Sequence, residues 1–415
     1  MSAEELIELP SETQSRRVAL WAWIFGRFCR RLAFGSLLLR FGAAGARLYR
    51  GPFPGGSAEL QIQRPLRLLL RILTRGEIGL AESYMQQDWS TPDLPALLEL
   101  LNLNAEHLAG AVDGMRWSRR LDWLTHRLRD NDRRNSRRNI ARHYDLGNDF
   151  YRLWLDPGMT YSSAVFEDPA REPLEAAQTR KYERLLDWID ARPGESVLEI
   201  GCGWGGFAEA AARRGLKVTG VTLSNEQLAH AQARIAAAGL AEQVELRLQD
   251  YRDIQGRFDH AVSIEMLEAV GEDYWPTYFQ ALRRLVRPGG RIAIQVITIH
   301  EDDFPRYRRC ADFIQLYIFP GGMLPSSDRL EAEVRSAGLL PLASRSHGSD
   351  YAETLRRWRR AFHAAEGPVE RLGYGARFRR MWDYYLAYCE AGFDSGSIDL
   401  AQVLLQVPDE GTEAA

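Results

Sequence analysis

Short apolar runs alternate with stretches of helical spacing over the second half of the chain. Each run is bounded by glycine, proline or polar residues, which is typical of a buried strand. The runs predict strands at 196–200, 217–223, 244–248, 258–264 and 291–299. Strands that alternate with helices favour a doubly wound α/β sheet, which binds ligands at the carboxyl ends of its strands.

The first part of the chain has a different pattern. Brief apolar runs around Gly-Pro turns predict short strands at 37–39, 46–49 and 60–63. Helical spacing predicts helices at 66–74, 77–87 and 94–103. We interpret residues 1–110 as a small N-terminal α+β domain, residues 111–142 as a basic linker and residues 143–407 as the catalytic domain.

The positive charge of the chain is local rather than global. The net charge is −3 at pH 7, and Lys181 and Lys217 are the only lysines, so arginine supplies most of the cations. Residues 16–50 combine arginines with aromatic residues, and residues 116–142 are again rich in arginine. Such stretches can lie in a lipid interface, or pack on their own domain and face solvent. Because no base-reading motif accompanies them, we expect an anionic membrane surface as partner, and no nucleic acid.

The termini and cysteines favour a cytoplasmic protein. The chain opens with Glu4, Glu5 and Glu8, which do not suit a secretory signal, and arginines interrupt the apolar residues 18–34. The four cysteines lie far apart, without the spacing of metal ligands. We therefore expect no metal site and a reducing compartment.

The strongest chemical signal is the glycine-rich turn after the strand at 196–200. Gly201 and Gly203 let the backbone approach a ligand closely, and a helix starts beside them. Glu199 places a carboxylate just before the turn, which suits the positive charges of S-adenosylmethionine better than the pyrophosphate of NAD. A turn with a purely structural role is the alternative.

Two further strand ends carry side chains that suit the same cofactor. Thr222 and Ser224 stand where a methyltransferase usually has an acidic residue for the ribose hydroxyls, and the Gln227 amide can substitute for it. Asp250 and Tyr251 follow the strand at 244–248, where a carboxylate can accept a hydrogen bond from the adenine amino group. These positions favour S-adenosylmethionine over a structural role for the turn.

Five motifs together resemble the cyclopropane-fatty-acyl-phospholipid synthases, including the mycolic acid cyclopropane synthases. The motifs are His143–Ala164, Glu199–Gly206, Thr222–Gln227, Ile264–Gly271 and Tyr317–Pro325. The resemblance covers about residues 60–405 and adds Tyr144, Tyr161, Ser162 and Ser263 to the expected cofactor site.

The resemblance implies a fold, a substrate and a location. It implies a class I methyltransferase with a seven-stranded sheet and a lipid-facing N-terminal domain. The enzyme would be cytoplasmic, peripherally membrane-associated, and active on unsaturated acyl chains of membrane phospholipids, converting them to cyclopropane fatty acids. Whether the chain forms a homodimer stays open.

The resemblance also implies a bound bicarbonate ion that accepts the proton lost in ring closure. Carried over by motif, Glu268 and Tyr351 would hold this ion together with a backbone amide near Ile264. Two positions depart, because the family's cysteine is Ser163 here and its histidine is Gln295. A hydroxyl and an amide still donate hydrogen bonds, so we expect a weakened ion site rather than none.

Three functions remain open from the sequence. The first is a cyclopropane synthase, and the second is a related methyltransferase whose product is methyl-branched, methylene-bearing or N-methylated. The third is a lipid-binding protein that keeps the fold without catalysis. The presence of Glu199, Gln227, Asp250, Glu268 and Tyr351 together counts against the third.

Overall fold

The computed structural model describes residues 16–42, 45–112 and 146–409. Their contacts divide them into two compact units. The first unit contains the described residues up to 112 together with 310–313 and 366–395. The second contains 146–309, 314–365 and 396–409.

The first unit has a four-stranded sheet in the order β2-β1-β3-β4. Its strands are β1 (Phe34–Arg40), β2 (Ala46–Arg50), β3 (Phe53–Ile62) and β4 (Trp89–Ser90). β1 runs antiparallel to β2 and parallel to β3, and β4 closes the sheet antiparallel to β3. The helices of this unit are Arg16–Cys29, Pro65–Met85, Leu94–Leu103, Ala105–Val112, Glu366–Arg371 and Ala376–Asp394.

A glycine divides the helix Pro65–Met85 into two parts. Gly76 has φ 57° and ψ −130°, a backbone conformation that L side chains rarely adopt. A Cβ on Gly79 would overlap the carbonyl oxygen of Arg71, so the second part approaches the first closely. The sequence predicted two helices here, at 66–74 and 77–87, and the break between them is confirmed.

The helix Ala376–Asp394 belongs to the first unit, although the sequence boundaries placed it in the catalytic domain. It packs against helices Leu94–Leu103 and Pro65–Met85. The Tyr84 hydroxyl donates to the buried Asp383 carboxylate at 2.6 Å, and the Arg380 guanidinium lies 3.7 Å from the Tyr84 ring centroid. These long-range contacts, rather than chain order, join residues 366–395 to the first unit, which no local pattern could reveal.

The second unit has a seven-stranded sheet in the order β10-β11-β9-β8-β5-β6-β7. Its strands are β5 (Ser196–Ile200), β6 (Lys217–Thr222), β7 (Val244–Leu248), β8 (His260–Ile264), β9 (Arg291–Ile299), β10 (Leu340–Ser346) and β11 (Ile398–Gln406). The first five of these are parallel, and β11 runs antiparallel between β9 and β10. The predicted doubly wound sheet is confirmed, and its five predicted strands lie within two residues of their observed bounds.

Helices cover both faces of this sheet. The α-helices are Asn148–Tyr151, Leu174–Ile189, Gly206–Arg213, Asn225–Ala237, Trp275–Leu285, Phe304–Tyr307, Phe313–Tyr317, Ser327–Ser336 and Gly348–Ala364. Single 3₁₀ turns lie at Tyr251–Asp253, Leu267–Ala269 and Glu272–Tyr274. Separate apolar clusters pack on the two faces, which fixes the carboxyl ends of β5, β6 and β8 at one edge. Within the described ranges, no helix is both long enough and apolar enough to cross a bilayer.

Candidate active site

A cavity of ≈ 160 Å³ lies at the carboxyl ends of β5, β6, β7 and β8. Most of the residues predicted for the cofactor line it. They are Tyr161, Ser162, Glu199, Gly201, Gly203, Thr222, Gln227, Asp250 and Tyr251, and Ile264 joins them from the predicted ion site. Tyr144 lies outside the described residues. Ser224 and Ser263 are buried and do not line it.

The turn after β5 brings backbone, rather than side chains, to the cavity. Gly201 and Gly203 have φ of +87° and +49°, where glycine is favoured. A Cβ on Gly201 would come within 3.0 Å of the Met266 side chain, which lies in the loop after β8. The helix Gly206–Arg213 follows at once, so its first amide groups also lie at this edge of the sheet.

Glu199 has a buried carboxylate oxygen that no described residue satisfies. The side chain lies at the end of β5, is 3% exposed, and its Oε2 has no hydrogen-bond partner. Burial raises its pKa to about 8, although the cations of Arg234 and Lys181 oppose this. A ligand that donates hydrogen bonds or carries positive charge would stabilise the ionised form. The site therefore fits S-adenosylmethionine.

The residues after β6 hold one another in a fixed arrangement. The Thr222 hydroxyl donates to Gln227 Oε1 at 2.9 Å. The Ser224 hydroxyl accepts from the Gln227 backbone N–H at 3.3 Å and so caps the helix Asn225–Ala237. Ser224 thus positions the helix, while the Gln227 side chain faces the cavity with its amide nitrogen available to a ligand.

Asp250 is already paired, which the sequence did not predict. Its two carboxylate oxygens accept from Arg252 Nε at 2.9 Å and from the second guanidinium nitrogen at 2.6 Å. Both side chains are nearly buried. Any hydrogen bond from an adenine amino group would therefore use the remaining lone pairs of a carboxylate held rigidly by arginine. Ser263 instead donates to the Ile200 carbonyl at 3.2 Å, between β8 and β5.

Three of the residues assigned to the ion site donate hydrogen bonds to Glu265, which the sequence analysis did not select. Tyr351 donates its hydroxyl to Glu265 Oε2 at 2.6 Å. Gln295 donates its amide N–H to Oε1 at 2.7 Å, and the Ser163 backbone N–H donates to the same oxygen at 2.8 Å. Gln402 on β11 donates to Gln295 Oε1 at 2.8 Å, which orients the Gln295 amide toward Glu265. Glu265 also lines the cofactor cavity.

Glu268, the glutamate that the resemblance assigned to the ion, has other neighbours. Its Oε1 accepts from the Ile297 amide at 2.6 Å, and its Oε2 has no partner among the described residues. Burial and the negative charge of Glu265 raise its pKa to about 8, so Glu268 is mainly protonated at neutral pH. The Ser163 hydroxyl donates to the Ala164 carbonyl at 2.9 Å and thus turns away from Glu265.

Lys181 is a second residue that the sequence analysis missed. It is fully buried, and its ammonium donates to the Ser162 hydroxyl at 2.6 Å. Burial lowers its pKa to about 8, against the opposing charges of Glu265, Asp156 and Glu199. The available signal was compositional, because Lys181 is one of only two lysines in an arginine-rich chain.

Aromatic side chains form a wall beside the cavity. The Tyr151 ring lies 5.1 Å from Trp204 and 5.4 Å from Tyr161, while Trp358 lies 5.5 Å from Tyr161 (centroid distances). The Trp204 N–H donates to Asn148 at 2.7 Å, which fixes the ring where it lines the cavity. Aromatic faces stabilise a nearby positive charge.

The sheet topology and the site define a class I S-adenosylmethionine-dependent methyltransferase. Residues 131–403 match the family described as Mycolic acid cyclopropane synthetase, and the chain belongs to that family. It is 46% identical over 358 residues to the tuberculostearic acid methyltransferase UfaA1 of Mycobacterium tuberculosis, covering 83% of this chain and 82% of the relative. It is 34% identical over 360 residues to the cyclopropane-fatty-acyl-phospholipid synthase of Escherichia coli, covering 84% and 87%.

Solved structures of the family share the fold. The mycolic acid cyclopropane synthase CmaA1, complexed with SAH and CTAB, aligns with a TM-score of 0.61 at 31% identity. The alignment covers 65% of this chain and 98% of CmaA1. The cyclopropane synthase MmaA2 from Mycobacterium tuberculosis aligns with the same TM-score at 29% identity, again over 65% and 98% of the two chains. The predicted family and fold class are therefore confirmed.

Proposed function

We propose that the protein methylates the double bond of an unsaturated fatty acyl chain and releases a product that carries a methylene group. The observation that carries this proposal is that three features lie together at one cavity. These are the cation-accepting Glu199, the aromatic wall around Tyr161, and the Glu265 carboxylate. S-adenosylmethionine, when bound, supplies an electrophilic methyl group.

The residues present suit a reaction that passes through a carbocation on the acyl chain. The alkene electron pair forms the new bond to the methyl carbon, and the neighbouring alkene carbon becomes positive. Tyr161, Trp204 and the rings behind them offer faces that tolerate this charge and exclude water that would quench it. A carboxylate in the same cavity can then take up the proton that the cation must lose.

Two different products can form from this cation. If a hydride moves from the methylated carbon to its neighbour, loss of a methyl proton leaves a methylene group. If no hydride moves, loss of a methyl proton closes a cyclopropane ring. A saturated methyl branch would need a separate reductant. The 46% identity with a tuberculostearic acid methyltransferase, rather than with a cyclopropane synthase, favours the methylene product.

The cyclopropane product, which the sequence analysis favoured, is the second candidate. The 34% identity with the cyclopropane-fatty-acyl-phospholipid synthase over 84% of this chain supports it. Purified protein with methyl-labelled S-adenosylmethionine and vesicles of unsaturated phospholipid distinguishes the two. Both products gain one CH2, but only the methylene product still takes up hydrogen in catalytic reduction. Label in free fatty acid or acyl thioester, with none in phospholipid, would overturn the phospholipid substrate.

We further propose that the first unit docks on anionic membrane. On the helix Arg16–Cys29, Leu20 and Trp23 are each 52% exposed, and the Arg27 guanidinium lies 5.5 Å from the Trp23 ring centroid. Exposed apolar side chains beside arginine suit a lipid interface with anionic head groups. The arginine-rich residues 116–142 lie outside the described residues.

A further inference from the structure

We propose that Glu265 is the proton acceptor of the reaction, so that the enzyme works without a bound bicarbonate ion. This inference rests on the proposed acyl methylation, but it holds for either product, because both lose a proton from the transferred methyl group. The base is then a side chain of the protein, rather than the exchangeable bicarbonate ion that the family resemblance implied.

The position of Glu265 is the first argument. The residue follows directly on β8, whose last residue is Ile264, and it lines the same cavity as Glu199 and the glycine turn. Its φ is +50°, which is uncommon for a residue with a side chain. Such strain is maintained only where surrounding contacts enforce it, and it concentrates at functional sites. Here the enforcing contacts are the three hydrogen bonds to the carboxylate.

The hydrogen-bond donors are the second argument. The Tyr351 hydroxyl, the Gln295 amide and the Ser163 backbone N–H all point to the Glu265 carboxylate at 2.6–2.8 Å. Tyr351 was expected to hold bicarbonate, and Gln295 replaces the family's histidine ligand. A bicarbonate ion in this place would have to displace the carboxylate from these donors. It would also set a second negative charge beside Glu265 in a buried site, which is strongly unfavourable.

The charges of the neighbouring groups are the third argument. Burial raises the pKa of Glu265, which strengthens this carboxylate as a base. The positive charge of Lys181 and the three hydrogen-bond donors oppose this effect and favour the ionised form of Glu265. Glu268 lacks such donors on Oε2 and keeps its proton at neutral pH. Two carboxyl groups in different surroundings thus separate into a base and an acid.

The proton balance is simple. After methyl transfer, the electron pair of one methyl C–H bond forms either the methylene double bond or the third side of the ring. The proton passes to a Glu265 oxygen, which becomes a carboxylic acid. No oxidant or further reactant is required, and the acid loses its proton to solvent when products leave the cavity.

Glu265→Gly is the sharpest variant, because glycine occupies φ +50° readily and the lost carboxyl group leaves space for a small anion beside the three donors. We expect wild-type turnover to be unchanged in carbon-dioxide-free buffer. Turnover of Glu265→Gly should fall by about 100-fold or more, the usual contribution of a general base. Added bicarbonate or formate should restore part of it, whereas Glu265→Gln, which fills the space, should not respond.

The controls separate this inference from its premise. Glu331→Gln changes an exposed glutamate on the helix Ser327–Ser336, and it should retain full turnover. Calorimetry with S-adenosylmethionine should show that Glu265→Gly still folds and binds the cofactor. A wild-type rate that falls as bicarbonate is removed would overturn the inference while leaving acyl methylation in place. Wild-type turnover by Glu265→Gly without added anion would do the same. Absence of labelled lipid from the wild type under every condition would overturn the proposed function itself.

Discussion

Replacing Lys181 with methionine should change the pH dependence of the enzyme more than its stability. Lys181 is fully buried, and burial lowers the pKa of its ammonium from 10.5 to about 8. The folded chain therefore binds this proton more weakly than the unfolded chain does. Below pH 8 the buried ammonium lowers the free energy of unfolding by about 3 kcal/mol, and this loss disappears as the pH rises toward 10.5. Methionine removes that cost at neutral pH.

The same change takes a positive charge away from three carboxyl groups. Glu265, Asp156 and Glu199 all interact with the Lys181 ammonium. Loss of a nearby opposite charge raises a carboxyl pKa by about one unit or more. The two opposing effects should leave the free energy of unfolding at pH 7 within about 2 kcal/mol of the wild type. The acidic limb of the pH–rate profile should move to higher pH by about one unit or more, because Glu265 must be ionised to accept a proton.

The assay compares kcat/KM across neutral pH with urea unfolding of the same samples. Lys217→Met is the matched control, since Lys217 is the only other lysine and lies exposed at the start of β6. We expect the control to retain the wild-type profile. An acidic limb that stays in place in Lys181→Met, with a normal rate, would refute the argument that Lys181 supports the charged state of the site.

Calorimetry should show S-adenosylmethionine binding that Glu199→Gln weakens about tenfold or more, because a charge-assisted hydrogen bond is lost. Gly203→Val should abolish binding, because valine is strained at the φ of +49° that Gly203 adopts. Binding of NADH instead would contradict the cofactor assignment. Cofactor affinity should also rise with pH up to about 8, the pKa to which burial raises Glu199, because the ionised carboxylate is the form that attracts a cation; an affinity that falls over this range would count against it. Sedimentation with vesicles should require anionic lipid, weaken with salt, and weaken in Trp23→Ala but not in Leu342→Ala, an exposed leucine on the edge strand β10. Equal binding to neutral vesicles at high salt would exclude the electrostatic account.

The parallel part of the sheet could be predicted because its strands are buried on both sides. β5 and β8 are almost wholly buried, so apolar residues stand next to one another in both instead of alternating with polar ones. β10 gives no such signal, since it is an edge strand whose last residues are exposed and polar. Its pairing with β11 depends on residues far along the chain. Propensity and periodicity therefore located five strands and missed the antiparallel pair.

The cofactor side of the site follows from local sequence, whereas the proton acceptor does not. Glu199 and the glycine turn occupy adjacent positions, so a strand and a turn suffice to place them together. Glu265 and Glu268 lie three residues apart after the same strand. The positive φ of Glu265 and the distant donors Tyr351 and Gln295 decide which carboxylate faces the cavity. Sequence spacing contains neither piece of information.

The most direct test of acyl methylation follows the three hydrogens of the transferred methyl group. Wild-type protein would be incubated with S-adenosylmethionine bearing a fully deuterated methyl group and with vesicles of unsaturated phospholipid. The acyl products would then be analysed by mass spectrometry before and after catalytic reduction. We predict a product that keeps two of the three deuterium atoms, because one leaves as the ion taken up by Glu265, and that still takes up hydrogen. Retention of all three deuterium atoms, or acyl chains without deuterium, would contradict the account.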